Sequence, residues 1–306
     1  MRAAPEASGA AFAYPGCDGV VAGMRLSRTA RMSPAEERLT RAAPRPSDGF
    51  TSETVTARGL RLHIRRRGVP PPTEPAWVLL HGLAVSHRYL MPTAVALPGA
   101  VFVPDLPGFG LSEKTPRVLT TGQHADVLAA WMDTTGITTA KIIANSYGCQ
   151  IAVELAIRRP DLTAALILVG PTVDPAAPTS AAQIRRWSRD LLSEDPKQIP
   201  AMLTDFREAG MRRVLRTLKD AVTHRMARRI PLVSAPILVL RGQHDPIAPA
   251  SWVEQAAALA RCGSAGEIPG SAHNAVTTGG TRVAALAVAF AGSGFSSPRV
   301  VRGPGR

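Results

Sequence analysis

A serine, an aspartate and a histidine can together make one hydroxyl reactive, and three segments of this 306-residue chain supply them in a suggestive order. Ser146 lies in "ANSYG" (144–148), Asp245 in "VLRGQHDPIAP" (239–249) and His273 in "IPGSAHN" (268–274). A serine hydroxyl is a poor nucleophile until a base takes its proton, and an imidazole does so best when a carboxylate orients it. Ser146 falls where a run of β-type residues, "KIIAN", gives way at once to a helical pattern. A turn of almost no length forces strained dihedrals and lifts the side chain above the carboxyl edge of a sheet. Strand and helix then approach closely, so the positions two before and two after the serine must be small. They are Ala144 and Gly148.

Seven histidines compete for the role of base. His63 falls in an early strand, His124 and His224 in helical patterns and His87 near a helix start. His81, in "HGL", reads as a structural residue that holds a turn, and His244 adjoins Asp245 too early in the chain order. His273 follows a strand and a Gly-Ser turn and is the candidate base. Asp245, just past a buried strand, is the preferred acid. Asp174, after the strand at 165–170, stays open as the alternative, while Asp105 in "DLPGFG" precedes a Pro-Gly turn and reads as structural. Negative charge developing on a carbonyl oxygen needs two N–H donors. Tyr147, the residue after Ser146, supplies one, and Leu83, after the tight turn at Gly82, is the candidate for the other.

These residues need elements that bring them to one edge. "LRLHIRRR" (60–67) alternates as a half-buried strand does, and "AWVLLH" (76–81) is a continuous apolar run suited to a strand buried on both faces. Similar runs follow at 100–105, 141–146, 165–170 and 236–241, with a weaker one at 265–270. Helical patterns lie between them, at about 87–97, 119–135, 147–158, 250–260 and 281–291. Alternation of this kind implies βαβ units and a mostly parallel sheet with helices on both faces. The interval from Val173 to Arg229 breaks the rhythm with amphipathic stretches and no strand. In its clearest stretch Met211, Val214, Leu215, Leu218 and Val222 share one face.

A formal charge of +13 invites a nucleic-acid or anionic-membrane partner. The basic residues are spread along the chain, however, and only 5% of residues are aromatic, which leaves few platforms for stacking bases. No nucleic-acid partner is expected. No apolar run approaches the roughly 20 residues of a membrane helix. The three cysteines, Cys17, Cys149 and Cys262, lie far apart and in no metal-ligand spacing, which suits a reducing, cytoplasmic setting. Residues 1–50 and 293–306 mix Ala, Pro, Gly and Arg with little periodicity and read as disordered. Met24 and Met32 offer later start sites.

Five segments, "VLLHGL", "PDLPGFGLS", "ANSYG", "VLRGQHDPIAP" and "IPGSAHN", resemble the α/β-hydrolase superfamily in this order, over about residues 53–292. The resemblance implies Ser146 as nucleophile, Asp245 as acid, His273 as base and an oxyanion hole of the Leu83 and Tyr147 N–H groups. It implies a core of 53–173 and 231–292 and a helical lid over 174–230. Members with an aspartate nucleophile, the haloalkane dehalogenases and epoxide hydrolases, fit poorly because position 146 is serine. Meta-cleavage C–C hydrolases share the serine, but "HGLAVS" departs from their glycine-rich loop. Ala144 replaces the first glycine of the usual elbow, and Cys149 stands where another glycine is common. Cys149 reads as a small packing residue, with sensitivity to alkylation as a further expectation.

The expected activity is hydrolysis of a small or medium carboxylic ester through an acyl-enzyme, acting on a small molecule with no cofactor and no metal. The alternatives are C–C hydrolysis, lactone opening or perhydrolysis by the same triad, or a ligand-binding protein without turnover. The lid residues Leu191, Leu192, Met202, Leu203 and Phe206 are expected to pack or to hold the acyl group. The arginine excess there suits an anionic substrate. Oligomeric state is not legible.

Overall fold

Five apolar runs become the centre of one sheet because neither of their faces meets water. These are β3 (Ala76–Leu80), β4 (Val101–Pro104), β5 (Ala140–Asn145), β6 (Thr163–Val169) and β7 (Ile237–Gly242), buried almost throughout. The structure, a computed structural model, describes residues 49–70 and 73–292. The expected disordered N-terminal segment, but for its last two residues, and the expected tail lie outside the described residues. Three further strands, β1 (Thr51–Ala57), β2 (Leu60–Arg67) and β8 (Gly263–Ile268), complete an eight-stranded sheet in the order β1-β2-β4-β3-β5-β6-β7-β8. Pairing of β1 with β2 and of β2 with β4 is antiparallel, and every other pair is parallel. The mostly parallel α/β architecture expected from the alternating pattern is therefore present.

Strand β1 is the element that periodicity missed. "TSETVTA" holds a single large apolar residue, and as an edge strand it keeps most of its side chains at least partly in water. Its threonines and valine suit a pleated strand, but a strand with little to bury leaves little pattern.

Helices α1 (His87–Ala96), α2 (Thr121–Thr135) and α3 (Tyr147–Arg158) follow strands in sequence. Local signals set their ends. Thr120 and Gln123 form a reciprocal capping box at the start of α2, and Gly136 closes it in the left-handed conformation. One face of the sheet is covered by α2, α3 and a later helix carrying Trp252; the other is covered by α1 and the last helix, through Leu90, Ala94, Val283 and Ala287.

Between β6 and β7 the chain forms α4 (Ser180–Asp190), α5 (Ile199–Ala209) and α6 (Met211–Thr223). The expected apolar face of α6 is rotated in the fold. Val214, Thr217 and Ala221 are buried, whereas Met211 and Leu215 are exposed. No described helix is long and apolar enough to cross a membrane.

Asp105, at the end of β4, ties the early strands to α1. It is fully buried, and its carboxylate accepts from Nδ1 of His63 (2.9 Å), from Nδ1 of His87 (2.9 Å) and from the N–H groups of His87 (2.7 Å) and Leu111 (2.9 Å). Burial pushes its pKa up, but the hydrogen bonds from His63 and His87 and the charge of neighbouring imidazoles outweigh that, holding it well below the usual carboxylate range. A depressed pKa stabilises the fold above the unfolded carboxylate value and loses that contribution as pH falls below it. Asp105→Ala is expected to cost about 3–5 kcal/mol by stranding two buried imidazoles. Urea denaturation at pH 7 and at decreasing pH checks this, and below about pH 4 the gap between wild type and variant should narrow.

Candidate active site

The sharp turn that opens α3 has the strained geometry its sequence requires. Ser146 has φ 56° and ψ −120°, one of three non-glycine residues with positive φ among the described residues. Its N–H donates to the Val169 carbonyl at 3.0 Å, which fixes the turn against the end of β6. Close packing explains the small neighbours. A Cβ at Gly148 would lie 2.7 Å from the carbonyl oxygens of Leu80 and His81, and one at Gly82 would lie 3.1 Å from Cβ of Ser146.

Asp245 and His273 reach the same edge from the ends of β7 and β8. Oδ2 of Asp245 is 2.9 Å from Nδ1 of His273, while Oδ1 accepts the N–H groups of Ile247 (2.8 Å) and Ala248 (3.0 Å). Each oxygen therefore has its own task, and the carboxylate cannot swing away from the ring. The pair lies flat against Gly170, where a Cβ would come within 2.9 Å of Cε1 and Nδ1 of the imidazole. Nε2 of His273 is buried and has no hydrogen-bond partner among the described residues. Ser146 and His273 are thus on one sheet edge but are not hydrogen bonded in this conformation.

What links them is a residue that sequence reasoning passed over. Nδ2 of Asn145 donates to the carbonyls of Val169 (3.0 Å) and His273 (3.2 Å), and its Oδ1 accepts the Tyr89 hydroxyl at 2.8 Å. That hydroxyl in turn accepts the Gly82 N–H at 2.8 Å. One buried chain of hydrogen bonds thereby joins the turn before Leu83, the residue before Ser146 and the loop of His273. The signal was an amide side chain at the end of an otherwise apolar strand.

The other expected members are placed as follows. Tyr147 is the first residue of α3, so its N–H is one of the four donors a helix leaves unsatisfied. Leu83 follows Gly82 at the end of β3. His81 holds that loop: its Nδ1 bonds the Gly82 carbonyl at 2.8 Å, and its Nε2 accepts the Leu106 N–H at 2.9 Å. Asp174 points elsewhere, paired with Arg186 at 2.6 Å. Cys149 is fully buried and its thiol donates to the Ala144 carbonyl; burial pushes its pKa well up, which argues against the expected sensitivity to alkylation. The one His and carboxylate group among the described residues tight enough for a cation is His63, His87 and Asp105. The Asp105 oxygens there are already taken by four donors.

Two acids from the helical segment were not anticipated. Oδ1 of Asp190 accepts the His273 N–H (3.1 Å), and Oε1 of Glu194 accepts the Asn274 N–H (2.6 Å). Burial pulls the His273 pKa down, but Asp245, by its charge and hydrogen bond, with Asp190 and Glu194 behind it, raises it to about 9. Asp190 itself is pushed up to about 7 by burial, reinforced by Glu194 and Asp245 and opposed by His273. The expected packing residues of this segment divide. Met202 and Phe206 turn partly inward, whereas Leu191, Leu192 and Leu203 are exposed and hold nothing against the site.

The family model of the alpha/beta hydrolase fold matches residues 75–232. Among curated proteins, lipase LipV of Mycobacterium tuberculosis is 36% identical over 114 residues, covering 37% of this chain and 42% of the lipase. A haloalkane dehalogenase of Mycobacterium marinum is 29% identical over 138 residues, covering 42% of this chain and 46% of that protein. The matched stretches span less than half the length of these two relatives. A thermophilic esterase of Thermogutta terrifontis superposes with a TM-score of 0.66 at 21% identity, covering 79% of this chain and 99% of the esterase, which is a likeness of fold.

The electrostatics yield a direct expectation. In an NMR titration the His273 imidazole should titrate near pH 9, and Asp190→Asn should move the midpoint down, because a lost negative charge no longer favours the imidazolium. An unchanged midpoint would mean that Asp190 does not act on the ring in solution.

Proposed function

Because the chain belongs to the alpha/beta hydrolase fold family, we propose that it is a hydrolase that cleaves a small or medium carboxylic ester, with Ser146 as nucleophile, His273 as base and Asp245 as acid. The observation that carries this reading is the 2.9 Å contact from Asp245 to Nδ1 of His273, which leaves Nε2 as the one ring nitrogen free to take a proton at the edge where Ser146 turns.

The chemistry follows from those positions. When the Ser146 hydroxyl meets Nε2, the imidazole accepts its proton as Oγ attacks the carbonyl carbon; such contacts commonly tighten only with substrate bound. Asp245 keeps the Nδ1–H tautomer and stabilises the imidazolium without taking the proton. The oxyanion is met by the N–H groups of Leu83 and Tyr147, the second reinforced by the N-terminal dipole of α3. Collapse of the tetrahedral intermediate expels the alcohol, which takes the proton from Nε2. A water molecule activated by the same nitrogen then releases the acid and frees Ser146. His273 must be neutral to begin, so the rate should climb with pH toward about 9. We assign residues 174–230 as the lid of this site, since Asp190 and Glu194 within it bond to the backbone of His273 and Asn274.

Fluorophosphonate labelling and turnover of p-nitrophenyl acetate, butyrate and octanoate test the assignment. Ser146→Ala and His273→Ala should each lower kcat by about 10⁴-fold or more, and Asp245→Ala should do so where Asp174→Ala does not. Folded wild type that neither labels nor turns over an ester overturns the reading and favours a ligand-binding role. Turnover of a ring-cleavage dienoate far above that of any ester would keep the triad and change the bond to C–C.

A further inference from the structure

The segment from α4 to α5 turns a row of polar residues inward and shows most of its large apolar ones to water. The stripe of α4 that turns inward carries Gln183, Arg186 and Asp190, and the chain continues inward with Glu194, Gln198 and Asp205. All but Gln198, which donates to Glu194 beside it (3.0 Å), find a polar partner outside the two helices. Gln183 donates to the Ala177 carbonyl (2.7 Å), Arg186 pairs with Asp174, and Asp205 accepts from the Ser86 hydroxyl (2.8 Å) and from Arg88. The adjacent stripe, Ile184, Trp187 and Leu191 at helical spacing, is exposed, as are Ile199 and Leu203 on α5, and Leu192 is 88% exposed. An ordinary surface helix does the reverse. Half of the large apolar side chains exposed among the described residues fall between positions 184 and 203, so this is a patch and not scattered leucines.

Exposed cations border it. Arg185 and Arg189 lie beyond the apolar stripe of α4, and Lys197 and Arg207 flank the leucines of α5. The acids of the segment are turned away: Asp190, Glu194 and Asp205 are buried and Glu208 is bonded to Arg88, which leaves Asp195 as the exposed acid of residues 180–209. An apolar stripe edged with arginine is the composition of a helix that lies in a lipid interface, with the leucines among acyl chains and the guanidinium groups at the phosphates. We propose that α4 and α5 form a docking face for an anionic phospholipid surface. A second copy of the chain suits the face less well, because self-association would set Arg185 and Arg189 against the same cations. The two ends of the chain carry more arginine than acid and offer no complement either. The proposal is independent of which bond the site cleaves.

The chain reports on its own docking. Of the four tryptophans, Trp77, Trp131 and Trp252 are buried, so a change in emission on contact with lipid comes from Trp187. The full chain would be mixed at low salt with phosphatidylcholine vesicles, with and without about 30 mol% phosphatidylglycerol. Co-sedimentation and a blue shift with the anionic vesicles, at least about tenfold weaker with the neutral ones and weaker in high salt, are expected. The double variant Leu191→Asp, Leu192→Asp should lose binding by about tenfold or more while keeping its circular dichroism and thermal midpoint. Arg185→Glu with Arg189→Glu should abolish the preference for anionic lipid. No sedimentation with anionic vesicles, or equal binding by the leucine variant, overturns the proposal. So does a concentration-dependent dimer in which hydrogen exchange is slowed over residues 184–203, which would assign the face to a second copy.

Discussion

Between β5 and α3 the chain turns in a single residue, and everything at the site is arranged around holding that turn. A non-glycine residue at φ 56° costs on the order of 1–3 kcal/mol and persists only where its surroundings over-determine it. Here the fixings are the Ser146 N–H on the Val169 carbonyl, the close seating of Gly148 on the carbonyls of Leu80 and His81, and a helix behind it whose residues from Tyr147 to Ala156 are all buried. Relaxing the turn would pull α3 off the sheet. The strain is therefore offset by the core, and the serine side chain is left partly exposed where the sheet ends.

The same edge concentrates buried polar groups that an apolar core would not tolerate unpaired. Asn145, Tyr89 and Gly82 form one fully connected run of hydrogen bonds, and Asp245 divides its oxygens between the backbone of its own loop and the imidazole. Three carboxylates, from Asp245, Asp190 and Glu194, surround His273. In the conformation described, that field favours the imidazolium, so the closeness of the helical segment and the basicity of His273 are coupled. A raised imidazole pKa contributes to the stability of the fold below the unfolded histidine value, and that contribution is lost as pH rises through about 9. Asp190, raised to about 7, acts in the same direction: its contribution is present at low pH and lost as pH rises through that value.

Much of this was legible in the residues. Continuous apolar runs fixed the buried strands to within a residue or two, because a strand covered on both faces has no other composition. The placement of Ser146, Asp245 and His273 at one edge followed from their positions just past such runs. What escaped was set by tertiary contact. Strand β1 buries too little to carry a pattern, and the rotated face of α6 depends on what packs beneath it. Asp190 and Glu194 look like ordinary surface acids in "SRDLLSEDP" until the fold turns them inward and Leu191 and Leu192 outward. No local rule predicts that inversion, since amphipathic spacing states which residues share a face and not which face meets the body of the protein.

The central claim is that the strained serine forms a covalent bond with its substrate. Wild-type protein would be mixed with p-nitrophenyl butyrate for less than one turnover, quenched in acid, digested and sequenced by tandem mass spectrometry. The account predicts a butyryl group on Ser146 within the peptide that carries "ANSYG", and its disappearance at longer times as water resolves it. Rapid release of p-nitrophenol with the acyl group on another residue, or with no acyl-protein at all, would contradict it.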